Sequence, residues 1–150
     1  MIIIRKACAQ DASVLQTIYR RCVIEAGWRQ PTAGVSEDFA DVTKGETIWI
    51  AVDAQDQALA VLAVQEGDAY IHHLYVDPQA QGQGLGRALL QHLQSRLAFP
   101  WRLKCVAQNH DALKFYARTG WHEIEQDLGE DGLYYLLEHA GPLLSTISIE

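Results

Sequence analysis

Three strand-like segments follow one another between residues 47 and 76, and they constrain the fold more than any other feature of this sequence. The segments TIWIAVD, QALAVLAVQE and AYIHHLYV are rich in β-branched, aromatic and other apolar residues, and short polar turns join them. Short turns connect antiparallel neighbours, whereas a parallel pair of strands needs a long crossover. The pattern therefore predicts an antiparallel three-stranded meander.

A different pattern begins after Val76, where helices alternate with strands. A helix is predicted from Gly84 to Leu97, a strand over WRLKCVA at residues 101–107, and a second helix from Asn109 to Gly120. A strand–helix–strand unit of this length implies a parallel pair of strands with a right-handed crossover. The segments WHEIEQDL and LYYLLEH then form a predicted closing hairpin around the turn GEDG.

The N-terminal part completes the prediction of a single domain. IIIRKA is predicted as an opening strand, and Asp11 as the cap of a helix whose apolar face consists of Leu15, Ile18, Tyr19 and Cys22. A loop over residues 27–36 and a short helix within SEDFADVTK precede the meander. The predicted fold class is α/β, with a mixed, mainly antiparallel central sheet and a parallel βαβ core. It occupies residues 1–140, and residues 141–150 form a tail.

The net charge, the apolar runs and the cysteines of the chain limit the kinds of molecule and the environment that we expect for this protein. The net charge of −7 is a poor match for the phosphate backbone of nucleic acids. No apolar run reaches the roughly 20 residues of a membrane span, and the N-terminus lacks the pattern of a signal peptide. Cys8, Cys22 and Cys105 form neither an even set nor a metal-binding spacing, so we expect buried, reduced thiols in a cytoplasmic protein.

The turn between the third meander strand and the next helix, Gln81–Arg87, contains Gly82, Gly84 and Gly86. The first N–H groups of a helix lack intrahelical partners and lie at the positive end of its dipole. An anion can bind there, and glycines let it approach the backbone closely. Three alternating glycines followed by Arg87 favour a phosphate contact over a plain turn.

Two common phosphate-binding motifs are absent from this turn. The dinucleotide motif G-x-G-x-x-G fails because Arg87 stands where the third glycine belongs. The Gly-Lys-Ser/Thr sequence of nucleoside-triphosphate loops is missing as well. A plain nucleotide-binding domain is therefore disfavoured.

The segment QGQGLG resembles the pattern Q/R-x-x-G-x-G/A of the GCN5-related N-acetyltransferase (GNAT) superfamily. NHDALKFYARTGW, residues 109–121, is similar to that family's second motif, N-x-x-A-x-x-F-Y-x-x-x-G-F, with Trp121 in place of Phe. The order of elements agrees from Ile2 to about Glu138. The resemblance implies the acyl-CoA N-acyltransferase fold and acetyl-CoA as co-substrate, with no metal required.

The resemblance also implies where the coenzyme binds. Backbone N–H groups of the glycine turn would hold the pyrophosphate, and the pantetheine arm would enter a gap in the sheet and pair with the backbone near Leu74 and Val76. Asn109 would hydrogen-bond the pantetheine in addition to capping its helix. The predicted coenzyme site consists of Leu74, Tyr75, Val76, Gln81, Gly82, Gln83, Gly84, Leu85, Gly86, Arg87, Asn109, Ala112, Phe115 and Tyr116.

His72 is the predicted general base, because histidine titrates near neutral pH and the resembling family places bases at positions matching His72 and Tyr70. Strand alternation predicts two faces, one with Tyr70, His72, Leu74 and Val76, and the other, toward a helix, with His73 and Tyr75. The family often carries a bulge in this strand, which would shift these faces.

Tyr116 is the predicted general acid, since the resemblance implies a tyrosine near the coenzyme sulfur at this place. It follows Asn109 by two helical turns and shares its face. The backbone N–H of Leu74 or Val76 would polarise the acetyl carbonyl. No convincing set of metal ligands is predicted among His72, His73, His92 and His110.

The predicted activity is transfer of an acetyl group from acetyl-CoA to a primary amine, by direct attack in a ternary complex. The acceptor is a small molecule, a peptide or a protein, and the residues that could line its site are Trp28, Arg29, Tyr134 and Glu138. Structural or solvated roles explain these four equally well. A non-catalytic acyl-CoA-binding sensor or interaction module is the alternative. The protein is predicted to be a monomer or a homodimer, with the tail after Ala140 as the place for dimer contacts.

Overall fold

The computed structural model describes residues 2–26 and 38–143. The strands are β1 (Ile3–Lys6), β2 (Thr47–Val52), β3 (Ala58–Gln65), β4 (Tyr70–Val76), β5 (Trp101–Val106), β6 (His122–Gly129) and β7 (Gly132–His139). The α-helices are α1 (Ala12–Tyr19), α2 (Phe39–Val42), α3 (Leu85–Gln94) and α4 (His110–Arg118). A π-helical turn, Arg20–Ile24, extends α1. The predictions for the loop at residues 27–36, including Trp28 and Arg29, and for the tail from residue 144 lie outside the described residues.

The strands form one sheet in the order β1-β2-β3-β4-β5-β7-β6. β4 and β5 are parallel, and all other neighbouring pairs are antiparallel. The meander of β2, β3 and β4, the crossover through α3 and the closing hairpin are thus confirmed. So is the predicted fold class, a mixed sheet with a parallel βαβ core. α3 ends at Gln94 rather than Leu97.

Each face of the sheet has its own hydrophobic core. On one face the buried leucines of α3 pack with Trp101 and Leu103 of β5 and with Tyr116 of α4. On the other face Leu15 and Ile18 of α1 pack with Phe39 of α2 and with residues of β2 and β3. The apolar spacing of α1 predicted its buried face, because residues three and four apart share one side of a helix.

β4 contains a bulge at His72. Its pairing with β3 passes from Ala63 opposite His73 to Val64 opposite Ile71, so His72 has no partner in the ladder. A bulge changes the phase of the residues on its two sides. The predicted face with Tyr70, His72, Leu74 and Val76 is therefore wrong: Ile71 joins the core on the α3 side, against which Leu74 and Val76 also pack.

β4 and β5 are joined at only one register position, Tyr70 opposite Arg102. The Arg102 N–H donates a hydrogen bond of 3.1 Å to the carbonyl of Ala69 at the same end. Toward Val76 and Val106 the two strands share no further ladder pair. The sheet is therefore open between its two parallel strands on the side where both strands end.

The cysteines are free thiols, but their burial differs from the prediction. Cys105 is buried, Cys22 is half-buried and Cys8 is exposed. Cys8 follows the edge strand β1 just before the first helical turn, where no element covers it. Among the helices of residues 2–26 and 38–143, none combines the length and apolar character that a membrane crossing requires.

An ion pair between β1 and the start of α1 gives a test of stability. Arg5 donates two hydrogen bonds of 2.9 Å to the Asp11 carboxylate, and these bonds lower the pKa of Asp11 to about 2. A carboxyl whose pKa is depressed on folding stabilises the protein above its unfolded value of 3.8, and this contribution is lost as the pH falls through about 2. We expect Asp11→Asn to lower the free energy of unfolding at pH 7 by about 1–2 kcal/mol.

Urea unfolding at pH 7 and at pH 2.5 measures this difference. Asp56→Asn is the matched control, because Asp56 contacts the same guanidinium but its side chain is 70% exposed. We expect the control to change stability by less than about 0.5 kcal/mol. An Asp11→Asn effect of equal size at both pH values would contradict the ion-pair explanation.

Candidate active site

The glycine turn enters α3 through two left-handed residues. Gly82 has φ +84° and Gly84, the N-cap of α3, has φ +77°. A Cβ at either position would meet no atom within 4 Å, so the backbone angle rather than space requires glycine there. No side chain caps the helix at Gly84. The first N–H groups of α3 therefore stay available to a ligand.

Gly86 serves a different purpose in the same turn. Its φ is an ordinary one, but a Cβ at this position would lie 3.2 Å from a ring carbon of Phe115 and 3.8 Å from Val76. Gly86 and Leu85 are buried, whereas residues 81–84 are exposed. Of the three glycines, two set the path of the loop and the third lets α3 approach β4 and α4 closely.

The π-helical turn after α1 reaches the base of the glycine turn, a contact that the sequence analysis did not predict. Arg21 forms an ion pair with Asp77 at 3.2 Å, and Asp77 also accepts a hydrogen bond from the Gln79 N–H. The carbonyl of Val76 accepts hydrogen bonds from the Cys22 thiol, at 3.3 Å, and from the Gln81 amide, at 3.4 Å. These contacts fix the end of β4 where the sheet opens.

The second half of β4 lines the gap in the sheet. Leu74 and Val76 pair with Leu62 and Ala60 of β3 on one side of β4. On the other side β5 offers them no ladder partner. Both residues and Tyr75 are half-buried. A strand edge of this kind can pair with an extended ligand.

α4 places Asn109 at its start and Tyr116 in the core. The Asn109 side chain accepts a hydrogen bond of 3.3 Å from the Ala112 N–H, which confirms its predicted role as helix cap. Ala112 and Phe115 pack against the core beside Tyr116. Burial, with a smaller contribution from the nearby Cys105, raises the pKa of Tyr116 above its usual value. The phenol is therefore protonated at neutral pH, and the same burial makes it a weaker acid than an exposed tyrosine.

His72 lies at the bulge of β4, where its side chain is 35% exposed. Its Nδ1 is 2.6 Å from Oε2 of Glu46, whose side chain is only 4% exposed. A carboxylate accepts the hydrogen bond, so Nδ1–H of His72 is the donor, and Nε2 is the acceptor whenever the ring is neutral. Glu46 was missed because it lies 26 residues before His72 in the chain, and only the pairing of β2, β3 and β4 brings the two together.

His73 points to the opposite core, as predicted. It is buried against Tyr19 of α1 and Phe39 of α2, with ring centroids 5.9 and 5.5 Å away. Its Nδ1 is 2.7 Å from the hydroxyl of Tyr75. Burial, and secondarily the neighbouring His72, lowers the pKa of His73 to about 3, so the ring is neutral.

Two of the four predicted acceptor-lining residues are described. Tyr134 lines a groove of about 160 Å³ between β5 and the β6–β7 turn, with Lys104 5.0 Å from its ring centre. The turn contributes Glu130 and Asp131 to this groove. Glu138 instead forms an ion pair of 2.9 Å with Arg102. Tyr134 thus lines a groove and Glu138 is held in an ion pair, and the role of either residue in acceptor binding stays a prediction.

Comparison with known proteins agrees with this geometry. Residues 28–136 match the Acetyltransferase (GNAT) domain family. The chain is 28% identical over 141 residues to the peptidyl-lysine N-acetyltransferase YjaB of Salmonella typhimurium, an alignment that covers 87% of this chain and 92% of that protein.

Two solved structures resemble the fold. Apo YjaB from Escherichia coli superposes with a TM-score of 0.74 at 24% identity, covering 95% of this chain and 99% of that one. The structure of yncA from Salmonella typhimurium with its cofactor acetyl-CoA gives a TM-score of 0.69 at 17% identity and covers 93% of each chain. The shared fold includes a relative that binds acetyl-CoA.

Proposed function

This chain belongs to the GNAT acetyltransferase family, and on that premise we propose that it transfers the acetyl group of acetyl-CoA to a primary amine of a peptide or protein. Transfer occurs by direct attack of the amine within a ternary complex. The observation that carries the proposal is the opening between β4 and β5, with an uncapped helix start beside its mouth.

The coenzyme is proposed to bind from the glycine turn into the opening. The N–H groups at Gln81–Arg87 contact the pyrophosphate, because the start of α3 offers donors without partners at the positive end of its dipole. Arg87 is half-buried beside them and adds positive charge. The pantetheine arm then pairs with the free edge of β4 at Leu74 and Val76.

The thioester would lie where groups on both sides of the sheet can reach it. His72, whose Nδ1–H donates a hydrogen bond to Glu46, accepts a proton from the attacking amine at Nε2. Tyr116, on the α3 side, protonates the leaving thiolate. A backbone N–H of β4, at Leu74 or Val76, stabilises the negative charge on the carbonyl oxygen. Each residue thereby has one task in the transfer.

A lysine side chain is the acceptor that we favour. YjaB of Salmonella typhimurium, to which this chain is 28% identical over 141 residues, is a peptidyl-lysine N-acetyltransferase. Glu130 and Asp131 line the groove beside Tyr134, and the chain carries a net charge of −7. Acidic groups attract a cationic substrate and raise its local concentration.

Release of coenzyme thiol from acetyl-CoA tests the proposal. We expect a signal that depends on a lysine peptide and that is at least about tenfold weaker with the same peptide acetylated on lysine. Peptides with a free N-terminus and small polyamines complete the panel. Coenzyme binding is measured separately by calorimetry.

The alternative function, a non-catalytic acyl-CoA sensor, predicts a different pair of results. Acetyl-CoA would bind tightly, but no amine in the panel would release thiol. The absence of both binding and release would contradict the coenzyme site itself.

A further inference from the structure

Three side chains with metal-ligating atoms meet at the bulge of β4. Glu46, His72 and His73 each offer one such atom, and the three atoms lie within 4.8 Å of one another. The bulge produces this arrangement, because it lets two histidines that are adjacent in sequence approach each other, with ring centroids 3.9 Å apart. Regular alternation would have placed them on opposite faces.

Two buried atoms of this cluster have no hydrogen-bond partner among residues 2–26 and 38–143. Oε1 of Glu46 and Nε2 of His73 are both inaccessible to solvent and unpaired, although nearly all buried polar atoms in proteins are satisfied. The Glu46 side chain is 4% exposed and His73 is 7% exposed. These two atoms point to a ligand that accepts lone pairs, which a metal ion does.

The donor set also matches a particular class of ion. Two imidazole nitrogens and one carboxylate oxygen are ligands of Zn²⁺ in sites that keep a fourth position open. Hard cations such as Mg²⁺ prefer oxygen donors alone. When Nδ1 of His73 donates to the Tyr75 hydroxyl at 2.7 Å, its Nε2 is left as the ligand. Hydrogen bonds of this kind commonly orient metal-binding histidines.

We propose that Glu46, His72 and His73 form a binding site for a divalent transition-metal ion of the Zn²⁺ class. The ion enters past the exposed side chain of His72, and its fourth position is open for water. Binding occupies a carboxylate lone pair of Glu46 and the ring lone pair of His72. Since the proposed function uses His72 as the base, a bound ion would inhibit acetyl transfer. That consequence rests on the proposed function, whereas the site does not.

Equilibrium dialysis of the full chain without an affinity tag tests the site, with ZnCl₂ as the ligand and no acetyl-CoA. We expect one tightly bound ion per chain in the wild type. Glu46→Gln and His72→Gln should each weaken the affinity at least about tenfold. His122→Gln is the matched control, because His122 is exposed on β6 and outside the cluster. Cys8→Ser controls for binding to the exposed thiol.

Each outcome decides the proposal. Loss of binding in the two cluster variants, with full binding in both controls, supports it. Binding that survives in the cluster variants, or disappears in Cys8→Ser, overturns it, as does a wild type that binds no ion. Thermal melting shows whether each variant is folded, and Zn²⁺ should raise the melting temperature of the wild type. Because the dialysis contains no coenzyme, its failure leaves acetyl transfer untouched.

Discussion

Tyr116→Phe is expected to lower kcat for acetyl transfer by about 100-fold. The change removes one hydroxyl from a ring that is packed among Trp121, Phe115 and the leucines of α3, so the core keeps its shape. Without the phenol, the departing thiolate must take its proton from water. The affinity for acetyl-CoA, measured by calorimetry, should change less than about twofold, because the ring contacts remain.

Tyr135→Phe provides the matched control for this result. Tyr135 lies on β7 and its ring packs against the same core, so the substitution removes a hydroxyl without touching the proposed acid. We expect its kcat to stay within about twofold of wild type. If Tyr116→Phe instead loses coenzyme affinity in proportion to activity, Tyr116 is a packing residue.

His72→Gln is expected to reduce kcat with a lysine peptide by about 100-fold when a metal chelator is present. Glu46→Gln should reduce it less, by about tenfold, since the histidine remains but loses the carboxylate that orients it. Acetyl-CoA affinity should be unchanged in both variants, because neither residue belongs to the coenzyme turn. Steady-state kinetics and calorimetry measure the two quantities.

A second measurement distinguishes a histidine that acts as general base from one that has only a structural role. Lysine has a pKa near 10.4, so its amine must lose a proton before it attacks. A peptide with a less basic lysine analogue depends less on a general base to deprotonate its amine. With this peptide, the loss of kcat caused by His72→Gln should be several-fold smaller. A defect of the same size with both peptides would remove His72 from the base role. His122→Gln, an exposed histidine on β6, should behave as wild type.

Local patterns in the sequence were sufficient for most of the fold. The meander, the crossover through α3 and the closing hairpin each follow from periodicity and turn residues within about 30 neighbouring positions. Two of the three glycines have the left-handed angles that a tight turn into a helix requires, and the third marks close packing. Residues that are close in the sequence determine these features, so the features can be predicted from the sequence.

The chemistry around β4 was predicted less well for a physical reason. A bulge adds one residue without any change in residue type, so only the family resemblance, and not the residues near His72, indicated that the faces of β4 could shift and bring Ile71 to the α3 side. Glu46 comes into contact with His72 only because the strands of the meander pair with one another. The exposed position of Cys8 likewise depends on which elements fail to cover it.

β4 and β5 share a single ladder pair, which divides the sheet. Four strands stand on one side of this pair and three on the other, so the sheet consists of two half-sheets that share one ladder pair, Tyr70 with Arg102. Beyond that pair, the inner edges of the two half-sheets have no strand partner among the described residues, and the Val76 carbonyl at the edge of β4 accepts hydrogen bonds from Cys22 and Gln81 instead. An extended arm bound between them would act as an eighth strand. A small molecule would then complete the sheet and tie the rigidity of the whole domain to its own concentration.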